Sequence, residues 1–255
     1  MKKVIALLLA VFAALTLVAC APKEETAVGY RVVHKDYVGI VNLVVLDGVI
    51  QEVEIDEYFL PNTWAKVAIT GETAPADVVV VPGTTPAWYA KYIVIGDKQF
   101  TGVLRDAAYV ADGVTYSKQM VKYSATGIED LLVWLLASEA NCEWYVQQLV
   151  DNKAFVAKDD FAVNTSLYTW NQGNGFTKSE TGYWSGSNYP LGRAGNLAEL
   201  AEAVEGKVFN PDATLVRATV DPKVWTIGDA VSGATMSDLP DYYKLIGIAY
   251  AKTGK

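Results

Sequence analysis

Near the C-terminus, the run Thr226-Ile227-Gly228-Asp229-Ala230-Val231-Ser232-Gly233-Ala234-Thr235-Met236-Ser237 gathers a carboxylate, two glycines and several hydroxyls in one short span. Asp229, Ser232, Gly233, Ala234 and Thr235 read Asp-x-x-Ser-Gly-Ala-Thr. Gly233 permits a turn with positive φ and leaves no Cβ in the way of a phosphate. Ala234 keeps that turn uncrowded. A helix is predicted to start just after Thr235, around Ser237 or Asp238, where free backbone N–H groups favour an anion. The chemistry on offer is a hydroxyl presented beside an anion-friendly helix start. The same residue types also build an ordinary strand-turn-helix corner.

The Asp-x-x-Ser-Gly-Ala-Thr segment resembles the flavinylation motif of the FMN-binding domain family. That family includes flavin-bearing components of the sodium-pumping NADH:quinone oxidoreductase and of the Rnf complex, together with flavin-carrying lipoproteins of anaerobes. The resemblance implies that the Thr235 hydroxyl is joined to the phosphate of FMN as a phosphoester by an FAD:protein FMN transferase. It implies too that Asp229, Ser232, Gly233 and Ala234 fill the positions that the transferase reads. A phosphate esterified there is expected to be held at the helix start without any arginine.

The N-terminus is a targeting segment. Lys2 and Lys3 form a basic region and Val4 to Val18 an apolar run, short for a membrane span of ~20 residues. Leu17-Val18-Ala19-Cys20 resembles a bacterial lipobox, which implies a signal peptide over 1–19 and acylation of Cys20. An uncleaved anchor with a chance cysteine is the alternative; both place the rest of the chain outside the cytoplasm. Cleavage removes two lysines and no acids, so 21 basic and 29 acidic residues become 19 and 29, a charge of −10. An acidic chain argues against nucleic acid as a partner. With Cys20 lipidated, Cys142 is the one thiol left, so no disulfide staples the fold; it sits in a helical pattern and is expected to be buried. Residues 20–28 read as the lipidated Cys and a short tether, whose eight residues after Cys20 reach roughly 28 Å when extended.

Residues 29–255 read as one α+β domain, a twisted, mostly antiparallel sheet with packed helices. Gly29 to Ile55 reads as a β-meander. Val38 to Leu46 is β-rich, Asp47-Gly48 is a hairpin turn signal, and Val49 to Ile55 alternates with Gln51 out of phase. Glu52 and Glu54 are expected on a wet face. This hairpin, in this order before the Ser-Gly-Ala-Thr corner, also resembles the family. The chain then departs from the family: the expected loop over Glu57 to Trp64 keeps Pro61 and Asn62 but lacks the usual glycine. The resemblance covers roughly 29–65 and 212–250, which leaves 66–211 as a large, partly helical insertion too long for one structureless loop.

Within the insertion, 78–81, 92–95, 99–109 and 113–117 read as strands, with Asp112-Gly113 as a second turn signal. Gly127 to Asn152 has helical periodicity, with a second start at Ser138. Residues 171–193 carry five glycines with Phe176, Tyr183, Trp184 and Tyr189. Such a loop can stack on a flavin ring, bind a glycan or peptide, or plug its own core. Asn196 to Gly206 reads as an amphipathic helix capped by Asn196. Strands at 213–220 and 224–227 feed the motif, and a final helix over 239–252 aligns Leu239, Tyr242, Tyr243, Ile246 and Tyr250 on one face.

His34 is the only histidine. It is expected to be exposed rather than catalytic, and no metal-ligand set or Ser-His-Asp arrangement is assembled by the spacing. No catalytic residue is assigned. The reading is a lipid-anchored, extracytoplasmic carrier of covalent FMN in electron transfer, in which the cofactor supplies the chemistry. Its alternative is a surface-binding or structural lipoprotein that recognises a glycan or peptide through the loop 171–193.

Overall fold

The chain enters through three long strands, β1 (Glu24–Val33), β2 (Tyr37–Leu46) and β3 (Val49–Phe59), paired antiparallel in the order β1-β2-β3. This is a computed structural model, and it describes residues 22–68, 75–105, 108–111, 114–116, 120–167, 169, 175–184, 191–220 and 223–254. The signal segment 1–19, Cys20, the Asp112-Gly113 turn, and residues 171–174 and 185–190 of the aromatic loop lie outside the described residues. Strand β1 begins at Glu24, so most of the expected tether is sheet.

The β2–β3 turn is the Asp47-Gly48 pair, with φ of +49° and +81°. Two positive φ values match the right-handed twist of the flanking strands. Gln51 is out of phase because the ladder slips there: Val44 faces Glu52 and Val45 faces Ile50. This bulge moves the inward face from Ile50 to Val53, and the same parity then carries Glu57 and Phe59 inward.

The final helix, which we number α6 (Leu239–Tyr250), lies against β1 and β2. Its apolar stripe of Leu239, Tyr242, Tyr243, Ile246 and Tyr250 is buried as the periodicity predicts. Close approach needs glycine below it: a Cβ on Gly29 would sit 2.9 Å from the Ala249 nitrogen and 3.1 Å from the Leu245 oxygen.

The stretch 66–211 contains strands as well as helices. A four-stranded antiparallel sheet runs in the order β10 (Val121–Ser124), β7 (Lys98–Leu104), β6 (Tyr92–Ile95), β11 (Ala154–Ala157). Two hairpins, β4 (Val78–Val81) with β5 (Ala87–Ala90) and β8 (Tyr109–Ala111) with β9 (Val114–Tyr116), complete the strands among its described residues. The 127–152 pattern divides at Ser138 into α2 (Leu131–Ala137) and α3 (Glu139–Val150). Asp130 and Ser138 cap their first turns through side-chain oxygens. Cys142 is buried in α3, and burial pushes its thiol up to about 12.

The segment expected as a loop at 57–64 is instead the end of β3 followed by one helical turn, α1 (Pro61–Trp64). Trp64 donates to the Tyr145 hydroxyl at 2.9 Å, and that hydroxyl donates to the Phe59 carbonyl at 2.7 Å. Helix α1, α3 and β3 are thereby locked together. The motif lies on a three-stranded antiparallel sheet, β12 (Leu215–Arg217), β13 (Trp225–Ile227) and β14 (Ala230–Ser232). Beside it runs α5 (Gly192–Val204), preceded by one turn, α4 (Lys178–Thr181). The class is α+β with antiparallel pairing throughout, divided among several small sheets. Among the described residues, no helix is long and apolar enough to cross a membrane.

Candidate functional site

Thr235 is half-buried and lines a cavity of about 510 Å³. That volume lies inside the roughly 300–1,000 Å³ range of small-molecule sites. Strand β14 ends at Ser232, and residues 233–238 run along α5 before α6 begins, with the Ala234 carbonyl still accepting from the Trp225 N–H of β13 at 3.2 Å. Their backbone donors are met by side chains. Glu199 Oε2 accepts from the Gly233 N–H at 3.0 Å, and Ser232 Oγ accepts from the Ala234 N–H at 3.1 Å. Asn196 Oδ1 accepts from the N–H groups of Thr235 and Met236 at 2.7 and 2.9 Å. The Thr235 hydroxyl donates to the same oxygen at 3.3 Å. On its other side, Arg217 Nη2 donates to the Thr235 carbonyl at 2.6 Å, and Trp225 Nε1 donates to the Met236 carbonyl at 2.6 Å.

Several expectations for this span are corrected. Gly233 is not in the left-handed region; the positive φ belongs to Gly228, at +59°, in the β13–β14 turn. Glycine at 233 leaves room for the Glu199 carboxylate, which occupies the place of a Cβ. Asp229 is not beside Thr235. It is exposed at the β13–β14 turn and borders a separate hollow of about 300 Å³ with Ala203, Phe209 and Tyr243. The intervening strand carries its carboxylate away. Asn196 is not a helix cap, since α5 begins four residues earlier and buries it completely.

The helix start beyond Thr235 carries acids rather than an open anion site. Asp238 occupies the N-cap and Asp241 the first turn. Positive charge comes instead from side chains on the cavity wall: His34, Lys178, Arg193 and Arg217, against the acids Glu57 and Asp238. Arginine is therefore present where none was expected to be needed.

Glu57 organises this wall. It has no exposed surface, and β3 parity points it inward. Its carboxylate accepts from Lys178 Nζ at 2.5 Å, Arg193 Nε at 2.6 Å and the Tyr242 hydroxyl at 2.5 Å. Arg193 also reaches Asp56 at 2.5 Å. Lys178 arrives because residues 176–177 run beside β3: the Phe59 N–H donates to the Phe176 carbonyl at 2.9 Å, and Tyr58 bridges to Thr177. Thr177 and Glu180 form a capping box that fixes the α4 turn. Lys178 Nζ lies 3.7 Å from the centre of the Tyr37 ring. Burial and the neighbouring Tyr183 hydroxyl raise the Tyr37 pKa, and burial with the Glu57 charge raises that of Tyr242, so both phenols stay protonated.

His34 stands at the rim, half-exposed, with Nδ1 3.0 Å from the Asp238 carboxylate. It is exposed, as expected, and it also stacks on Tyr37 at 5.9 Å and lines the cavity. Two aromatics of the 171–193 loop, Tyr183 and Trp184, also line it, while Phe176 packs edge-on against Trp64. The arrangement presents one half-buried hydroxyl, flat aromatic faces, and cations interleaved with the acids Asp56, Glu57 and Asp238. Among the residues that periodicity and motif reading miss, Glu57 carries a signal, its parity with Val53 and Ile55. Lys178, Arg193, Glu199 and Arg217 carry none, because they converge from separate elements.

No family model, curated protein or solved structure matches the chain.

Proposed function

We propose that the protein is a lipid-anchored, extracytoplasmic carrier of FMN, esterified through its phosphate to Thr235, that serves in electron transfer. The observation that supports the reading is the Thr235 hydroxyl on the wall of a cavity lined by Tyr37, Tyr183, Trp184, Arg193 and Arg217. The residues fit the group. A nucleotide-bearing hydroxyl needs access, a flat ring needs apolar faces, and a phosphate diester needs a neighbouring cation. Thr235 is half-buried rather than sealed, and Arg217 is fixed against its carbonyl.

Attachment forms the bond from Thr235 Oγ1 to the FMN phosphorus and breaks the pyrophosphate bond of FAD. The hydroxyl proton and AMP leave, and an FAD:protein FMN transferase is the partner that this step requires. Held in this way, FMN supplies one- or two-electron chemistry at its ring. The chain's own residues bind and shield: Tyr183 and Trp184 offer stacking surfaces, and Arg217 supplies positive charge beside Lys178 and Arg193, which are paired with Glu57. Ser232 and Ala234 shape the bend that presents the hydroxyl, and Asp229 remains a surface residue available to the transferase. The Cys20 lipid anchor and the signal peptide over 1–19 belong to the same reading.

Thr235→Ala is expected to abolish covalent, in-gel flavin fluorescence when the chain is co-expressed with the transferase. Retained fluorescence in that variant rejects the assignment. A native protein that is colourless and lacks the mass of FMN less water favours the alternative, a surface lipoprotein recognising a glycan or peptide.

A further inference from the structure

We propose that Asn196 and Glu199 are positioning residues that hold the Thr235 hydroxyl in place for phosphoryl transfer. This rests on the reading of Thr235 as the acceptor. The acceptor segment has left β14, and a single backbone bond, from the Trp225 N–H to the Ala234 carbonyl at 3.2 Å, still ties it to β13. Two side chains of α5, three residues apart and hence on one face of the helix, define the rest of its path. Glu199 accepts from the Gly233 N–H at 3.0 Å. Asn196 accepts from the N–H groups of Thr235 and Met236 at 2.7 and 2.9 Å.

The atom that meets those two N–H donors can only be the Asn196 carbonyl oxygen. Its other end is fixed as well, since Nδ2 donates to the Gly192 carbonyl at 2.6 Å inside α5. Asn196 has no exposed surface, so the amide has no competing solvent partner. A carbonyl oxygen has two lone pairs, and the two short amide bonds take both. The hydroxyl contact at 3.3 Å is the longest of the three and the first to yield. Oγ1 is thus located without being tied up, and Asn196 keeps both amide donors after the hydroxyl is esterified. Arg217 holds the Thr235 carbonyl from the opposite side at 2.6 Å, so the peptide unit cannot swing.

The role of Gly233 follows. The Glu199 carboxylate lies where its Cβ would be. Glycine at this place admits the carboxylate that docks the segment on α5.

The test is the steady-state kinetics of flavin attachment, with the mature chain as substrate for the transferase and FAD. Asn196→Ala is expected to lower kcat about 10–100-fold, the range that a displacement of an ångström commands, with KM for the chain within about twofold. Glu199→Ala is expected to lower kcat about tenfold, while Glu199→Gln, which keeps an acceptor, stays within about twofold of wild type. In the Glu199→Ala background, Gly233→Ala is expected to cost less than it does in the wild type. Folded Ala variants that load at the wild-type kcat overturn the proposal. If Asn196→Ala does not fold, the Glu199 pair decides, because equal rates for its Ala and Gln variants overturn it equally. Wild-type chain that takes no flavin from an active transferase removes the Thr235 reading and this inference together. Wild-type loading with unimpaired Ala variants removes only the inference.

Discussion

At the scale of the residue, His34 carries a dependence on pH whose sign is fixed. The hydrogen bond to Asp238 raises its pKa above the ordinary 6.5, with burial opposing. The folded state therefore favours the protonated ring. That contribution is complete below 6.5 and fades as pH climbs through the raised value. For Asp238, burial pushes upward, but the hydrogen bond and charge of His34 outweigh it and leave the pKa below 3.8. Its contribution is present above 3.8 and lost as pH falls through the lowered value. The pair therefore fastens the β1–β2 turn to the start of α6 between those limits. His34→Gln is expected to melt below wild type at about pH 5.5, with the gap closing by about pH 9. A gap that is constant or widens with pH, measured by thermal melts in matched buffers, contradicts this. With half its side chain exposed, the pair is worth little in absolute terms.

At the scale of the element, the packing of α6 on β1 and β2 is decided by backbone approach. Gly29 is buried where the helix backbone comes down on the sheet. An added Cβ meets backbone atoms of Ala249 and Leu245, which cannot rotate aside as a side chain would. Gly29→Ala is expected to destabilise the fold by about 1–3 kcal/mol, the usual cost of overpacking. A urea midpoint shift with an unchanged m-value checks it, and an unmoved midpoint denies the contact. Because α6 also carries Tyr242 and Asp238 to the cavity, the same shift is expected to loosen the site.

At the scale of the whole molecule, Glu57 joins four elements. It sits on β3 and receives donors from α4, α5 and α6. Removing a buried carboxylate leaves Lys178, itself buried, without its counter-charge. Glu57→Ala is expected to cost about 3–5 kcal/mol, as for other broken buried pairs. Glu57→Gln keeps acceptor capacity and is expected to cost less. An alanine variant within about 1 kcal/mol of wild type in urea unfolding denies that the network holds these elements together. Strand β1 starts beside Leu46 and the Asp47 turn and ends at Val33, next to His34 on the cavity rim. Its ten residues, at about 3.3 Å each, put roughly 30 Å between the two ends.

The features legible in the amino acids alone are local. The Asp47-Gly48 turn, the alternation in β2 and β3, the capped starts at Asp130 and Ser138 and the apolar stripe of α6 each depend on neighbours a few residues away, where periodicity and φ preferences act. Even the misfit of Gln51 marks a real bulge. The site, by contrast, exists only once the elements have packed. Asp229 and Thr235 are six residues apart, yet a strand between them sends one to a turn and the other to the cavity. Asn196 has the composition of a cap but becomes a buried clamp, because α5 starts earlier to meet the motif. Arg193, Arg217, Lys178 and Glu57 come together only through contacts between elements distant in the chain, and no spacing along the sequence encodes which charges will share a cavity.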